Sequence, residues 1–237
     1  MATYCMADIH GMLGAFHAML EKIAFSREDT LYILGDVFDR GPDGIPVLRE
    51  IMAHENMHML LGNHEYMMLE ALFTRKTEVE ISRWARNGNG PTMKGWNALT
   101  EEVQKQIYTY LRGLPDHLEV EAGGRCYYLV HGFPGENTHD RVWGRPCQLD
   151  LEPPIPGKQL IIGHTPVPYL LCRNEEEENL YFKRMEKTGA LNRILHTAGY
   201  WDIDCSCGHS DAGGALGCIR LEDLREFYVP GRRLDPK

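Results

Sequence analysis

Five times along this chain an apolar, strand-like run ends in a glycine-bearing loop carrying metal-ligating side chains: MADIHG, LYILGDVFDRG, MLLGNHE, YLVHG and LIIGHTP. In open α/β sheets functional groups gather where strand C-termini meet their loops, so these ends are expected to project toward one crevice. The residues delivered are Asp8, His10, Asp36, Asp39, Arg40, Asn63, His64, His131 and His164. Each motif alone reads more simply as a turn former or a helix cap. Their recurrence favours a shared site. Oxygen and nitrogen donors without a thiolate suit borderline or hard divalent ions such as Mn2+, Fe2+ or Zn2+. Asp8 and His10 flank a single residue, so at an extended strand end they point to the same side and can grip one ion together. The plausible ligands exceed what one tetrahedral ion needs and suit a two-ion centre with a bridging carboxylate.

The pattern around these loops supports that placement. Thr3 to Ala7 reads as a strand, followed by Met12, Leu13, Phe16, Met19, Leu20 and Ile23 at helical spacing. The cycle repeats through Leu31 to Leu34, Ile45 to Met52, His58 to Leu61 and Tyr66 to Phe73, which predicts a largely parallel sheet with helices on its faces. Residues 74–116 hold no convincing strand and read as a mainly helical insertion. One helix there starts near Thr100 as N-cap, with Val103, Ile107, Tyr110 and Leu111 as its apolar stripe. Strand-like segments return at 126–130, 159–162, 193–197, 215–221 and 226–229, so the second half is expected to be mostly β, with Glu175 to Glu178 a solvated loop or helix start. The length, 237 residues, suits a single domain spanning 1–237.

Charge narrows the partners. The formal net charge is −9, from 34 acidic against 25 basic residues, a surface that repels phosphate backbones, so no nucleic acid is expected. No stretch reaches membrane-spanning length and no secretory leader pattern opens the chain. Seven scattered cysteines then predict reduced thiols in a cytoplasmic protein. Cys205-Ser206-Cys207-Gly208-His209 is the one cysteine cluster; its spacing is wrong for structural zinc, and buried small side chains are the expected role. His17, His54, His58, His117, His139 and His209 are expected to be ordinary surface or packing histidines.

Taken in order, DIHG, GDVFDRG, GNHE, VHG and GHTP resemble the signature of the calcineurin-like metallophosphoesterases, with the phosphoprotein phosphatase branch, small bacterial and phage serine/threonine phosphatases, as the nearest likeness. The resemblance runs from Asp8 to about Leu221. It implies an α/β (α+β) fold: a four-layer αββα sandwich of two central mixed β-sheets flanked by helices. It also implies two divalent metal ions. Asp8 and His10 would bind the first, Asp36 would bridge, and Asn63, His131 and His164 would complete the second. His64 would be the general acid, steadied by Asp39. Arg40 and, in VWGR, Arg145 would bind phosphate. The stretch NGNGPT departs from the two adjacent glycines usual after an Asn in the family, and CSC departs from the usual IDTG segment after Asp204.

The leading expectation is hydrolysis of phosphate monoesters, with phosphoserine and phosphothreonine in proteins as substrates. The alternative is hydrolysis of a dinucleoside polyphosphate. Glu65 in GNHE and the complete Asp39-Arg40 pair lean toward the ester, because an alkoxide leaving group needs an acid more than an anhydride does. A non-catalytic metal-binding scaffold ranks last, since no expected ligand is missing.

Overall fold

The computed structural model describes residues 1–149, 151–209 and 212–231. Its strands form two mixed five-stranded sheets. The first, ordered β10-β9-β1-β2-β3, contains β1 (Thr3–Met6), β2 (Thr30–Ile33), β3 (Met57–Met59), β9 (Ala215–Arg220) and β10 (Arg225–Pro230). β1, β2 and β3 run parallel, and β9 and β10 add antiparallel. The second, ordered β4-β5-β6-β8-β7, is built from β4 (His117–Ala122), β5 (Arg125–Val130), β6 (Gln159–Ile162), β7 (Leu195–His196) and β8 (Trp201–Asp202).

Alternation along the strands explains why the sheets stack. In β1, Tyr4 and Met6 join the core that contains Phe16 and Met19 of helix α1 (Leu13–Lys22) and Val47 and Leu48 of α2 (Gly44–Met52). Cys5 instead faces the other way, into a cluster with Tyr127, Leu129, Ile161 and Ile219 from strands of both sheets. β5 repeats the device: Tyr127 and Leu129 face inward, while Tyr128 and Val130 join Leu160, Ile162 and Tyr200 on the outer face. A strand with period two and both faces apolar must be covered twice, which gives the layered αββα order. The alternating β and α runs of the first half thus belong to one of two sheets, rather than to a single parallel one.

Residues 74–116 carry α4 (Glu78–Arg86), α5 (Gly90–Asn97) and α6 (Glu101–Arg112), after α3 (Asn63–Leu69) and a π-turn over Glu70–Thr74. Thr100 Oγ1 accepts the Val103 N–H at 3.4 Å, the N-cap expected of it. The second half is less β-rich than expected. Helices α7 (Thr138–Trp143), α8 (Val167–Leu171) and α9 (Glu175–Thr188) interrupt it. Glu175 to Glu178 are the first turn of the 14-residue α9, capped by Asn174, whose Oδ1 accepts the Glu177 N–H at 3.0 Å. Four carboxylates there complement the helix dipole.

Candidate metal centre

The loops at the ends of β1, β2, β3, β5 and β6 converge. Asp8, His10, Asp36, Asp39, Asn63, His64, His131 and His164 are all buried. Their backbones are unusual. Asp8, His10, Asp36, Asp39, Arg40 and His164 have φ between 47° and 69°, a left-handed region that costs energy for any residue with a side chain. Strain concentrated at these strand ends is characteristic of a site held open for ligands.

Asp36 is the hub. Its Oδ2 lies 3.7 Å from His10 Nε2 and 3.8 Å from His64 Nε2, while its Oδ1 lies 3.4 Å from His131 Nε2. Asp8 Oδ1 sits 4.0 Å from His10 Nε2 and has no hydrogen-bond partner among the described residues. On the other side Asn63 Oδ1 is 2.8 Å from both His131 Nε2 and His164 Nδ1.

Tautomers decide what these distances mean. His10 Nδ1 donates to the Phe38 carbonyl at 3.0 Å and His131 Nδ1 to the Leu34 carbonyl at 2.6 Å. A neutral ring that donates from Nδ1 presents a lone pair at Nε2. Lone pairs of His10, Asp8 and Asp36 therefore meet on one side, and those of His131, Asn63 and Asp36 on the other. Convergent lone pairs repel each other unless a cation lies between them, and a carbonyl on the far ring nitrogen is the usual support of a metal-ligating histidine. The donor set therefore fits two divalent ions. His10, Asp36 and His64 form one group whose ligand atoms lie within 4.8 Å of one another, and Asp36, His131 and His164 form another.

The electrostatics follow from burial. Asp8 is pushed well above the usual carboxylate range by desolvation and by the charges of Asp204 and Asp36. Burial also opposes ionisation of Asp36, but the surrounding His131 and His64 hold it well below that range. His10 and His164 are driven down, mainly by desolvation, to the neutral ligand form.

Beside this hub, His64 Nδ1 lies 2.6 Å from Asp39 Oδ2, and Arg40 Nη2 lies 3.4 Å from His64 Nε2. Arg145 is exposed, and its charge reaches His164.

Several contacts around the hub escaped sequence reasoning. Glu65 is fully buried and accepts three backbone N–H groups, from Asp36 (2.8 Å), Val37 (3.0 Å) and Gly62 (3.0 Å), tying the second and third loops together. Gly62 must be glycine here, because a Cβ would fall 2.3 Å from Asp36 Oδ1. Trp84 of α4 donates its indole N–H to Asp39 Oδ2 at 2.6 Å. From the NGNGPT stretch, Thr92 Oγ1 accepts the Asp39 N–H and the Gly88 carbonyl the Arg40 N–H, each at 2.9 Å. Finally, His209 is no ordinary loop histidine: its Nε2 accepts from Arg40 Nη1 at 2.7 Å. Cys205 and Cys207 are buried, as the packing role requires.

Residues 1–196 match the calcineurin-like phosphoesterase family. A protein of Erwinia tasmaniensis named bis(5'-nucleosyl)-tetraphosphatase, symmetrical, is 39% identical over 279 residues, covering 98% of each chain. A relative of the same name from Acidovorax sp. (strain JS42) is 35% identical over 133 residues, and that match spans 55% of this chain but only 43% of the relative. A metallophosphoesterase structure from Sphaerobacter thermophilus superposes with a TM-score of 0.57 at 16% identity, over 98% of this chain and 90% of that one. The names of the sequence relatives differ from the phosphoprotein phosphatase branch that the motifs suggested. The whole-length relative, the matched family and the doubled ligand cluster agree at the coarser level, and the chain belongs to the calcineurin-like phosphoesterase family.

Proposed function

We propose that this protein hydrolyses the phosphoanhydride of a dinucleoside polyphosphate at a centre of two divalent ions. The observation that carries the substrate class is the 39% identity, over 98% of both chains, to a protein named as a symmetrical bis(5'-nucleosyl)-tetraphosphatase. Asp8 and His10 would hold one ion, Asn63, His131 and His164 the other, and Asp36 would be shared between them. When bound, the ions supply Lewis-acid activation of the attacking water and neutralise charge on the phosphoryl group. The chain's own groups do the rest. Arg40, and Arg145 from the exposed rim, bind phosphoryl oxygens through guanidinium forks. His64 holds a proton at Nε2 for the leaving oxygen, while Asp39 fixes the ring through Nδ1. Burial of this hub keeps bulk water from competing for the reacting oxygens.

A second reading, hydrolysis of a phosphate monoester such as phosphothreonine in a protein, is favoured by one observation: the 2.6 Å contact between His64 and Asp39 keeps an acid in place that an alkoxide leaving group needs. Rates on diadenosine tetraphosphate, a phosphothreonine peptide and bis-p-nitrophenyl phosphate, measured side by side with Mn2+, decide. Preference for the peptide overturns the anhydride reading.

A further inference from the structure

We infer that His209 is the positioning residue for Arg40, a neutral acceptor that aims the guanidinium at the phosphate site without cancelling its charge. The inference rests on the reading of Arg40 as a phosphate-binding group. It also gives a purpose to the CSCGH cluster.

The turn that delivers His209 is built for close approach. Asp204 Oδ1 accepts the Ser206 N–H at 2.9 Å, Ser206 adopts φ 67°, and the His209 N–H closes onto the Ser206 carbonyl at 3.2 Å. Cys205 and Cys207 anchor the turn by burial. Gly208 lies against His10: a Cβ there would stand 2.3 Å from the His10 Cβ. The turn is thus pressed onto a residue of the ligand hub, and His209, next along the chain, is carried over Arg40. On its far side His209 meets the Tyr169 ring of α8, centroids 6.0 Å apart at 60°, and Tyr169 in turn packs edge-on to Phe182 of α9 at 6.3 Å.

Arg40 benefits from such a support. Its long, flexible stem loses rotamer freedom when it is fixed. A guanidinium already held at Nη1 by His209, with its backbone N–H tied to Gly88, needs little further ordering when phosphate arrives. The choice of acceptor matters. A carboxylate would hold the fork equally well but would neutralise it and compete with phosphate for its donors. A neutral imidazole leaves the positive charge whole and occupies one of five N–H groups. Desolvation, with the Arg40 charge beside it, lowers His209 to about 4, which keeps the ring an acceptor near neutral pH.

The test is calorimetric titration of inorganic phosphate into the Mn2+-loaded protein, for the wild type, R40A, H209F, H209Q and R40A/H209F. H209F keeps an aromatic ring against Tyr169 and removes the acceptor. We expect R40A to weaken phosphate binding about 10- to 100-fold, H209F about 5- to 10-fold, and H209Q, whose amide oxygen accepts, to stay within about 2-fold of wild type. In the R40A background H209F should cost nothing more, because a residue acting through Arg40 has nothing left to position. Weakened R40A with normal H209F, or an H209F penalty undiminished in the R40A background, overturns the inference alone. Normal phosphate affinity in R40A overturns the reading of Arg40 on which it rests.

Discussion

His64 and Asp39 are joined by a 2.6 Å contact between Nδ1 and Oδ2, with both side chains fully buried. This geometry separates two roles for His64, whose ligand atom also falls within 4.8 Å of those of His10 and Asp36. A ring oriented by a carboxylate on one nitrogen presents the other for proton transfer. Replacing His64 with Asn should therefore cut turnover about 100- to 10,000-fold while leaving metal content near wild type. Metal analysis after dialysis checks it; loss of an ion in step with activity would make His64 a ligand.

Asp36 should control both ions at once, because its two oxygens face different ligand groups, His10 through Oδ2 and His131 through Oδ1. Asp36→Asn is expected to lose both ions and essentially all activity, whereas Asp8→Asn should lose mainly one. Elemental analysis of the purified variants distinguishes them. A variant of Asp36 that retains two ions per chain contradicts the bridging role.

Glu65 offers a stability test with a defined sign. Burial and the Asp36 charge raise its carboxyl to about 7, above the ordinary 4.5. The native state then binds a proton that the unfolded chain has released between those two values, so stability falls as pH rises from about 4.5 to about 7. In metal-stripped protein the melting temperature should decline across that window. Glu65→Gln should flatten the decline and lower the plateau, since an amide cannot accept all three backbone N–H groups. One orphaned donor at about 1–3 kcal/mol, at roughly 2–4 °C per kcal/mol, gives a drop of about 2–12 °C. Melting curves that keep the full pH slope in the variant would assign it to another group.

The strand-end residues that the fold gathers into one buried cluster were legible in the sequence because each follows its own apolar run. What supports them was not. Trp84 reaches Asp39 across 45 positions and His209 reaches Arg40 across 169, and nothing in either residue's neighbourhood announces the contact. Glu65 stood in plain view in GNHE, yet its three backbone partners come from folding the second loop onto the third. Helix α9 failed for a different reason. It buries no residue, so it lacks the apolar periodicity by which an amphipathic helix is read, and only its Asn174 cap and acidic first turn marked it.

Trp84 links the helices between α3 and β4 to the His64–Asp39 pair. It is almost wholly buried, and its indole N–H donates to the same Asp39 oxygen that holds His64. Among the described residues Asp39 Oδ1 has no hydrogen-bond partner, so Oδ2 carries the hydrogen bonds that orient the carboxylate. Trp84→Phe keeps most of the packing and removes this donor, freeing the carboxylate to rotate about its terminal bond and loosening the His64 ring. Turnover should fall about 3- to 10-fold, a fraction of what one hydrogen bond to a charged group contributes because Trp84 acts only through Asp39, with metal content unchanged and little effect on KM. In a His64→Asn background the same change should be nearly silent, because Asp39 then has no acid to steady. Steady-state kinetics of the two single variants and the double variant test this, and a Trp84→Phe penalty that persists without His64 would place its effect in packing instead.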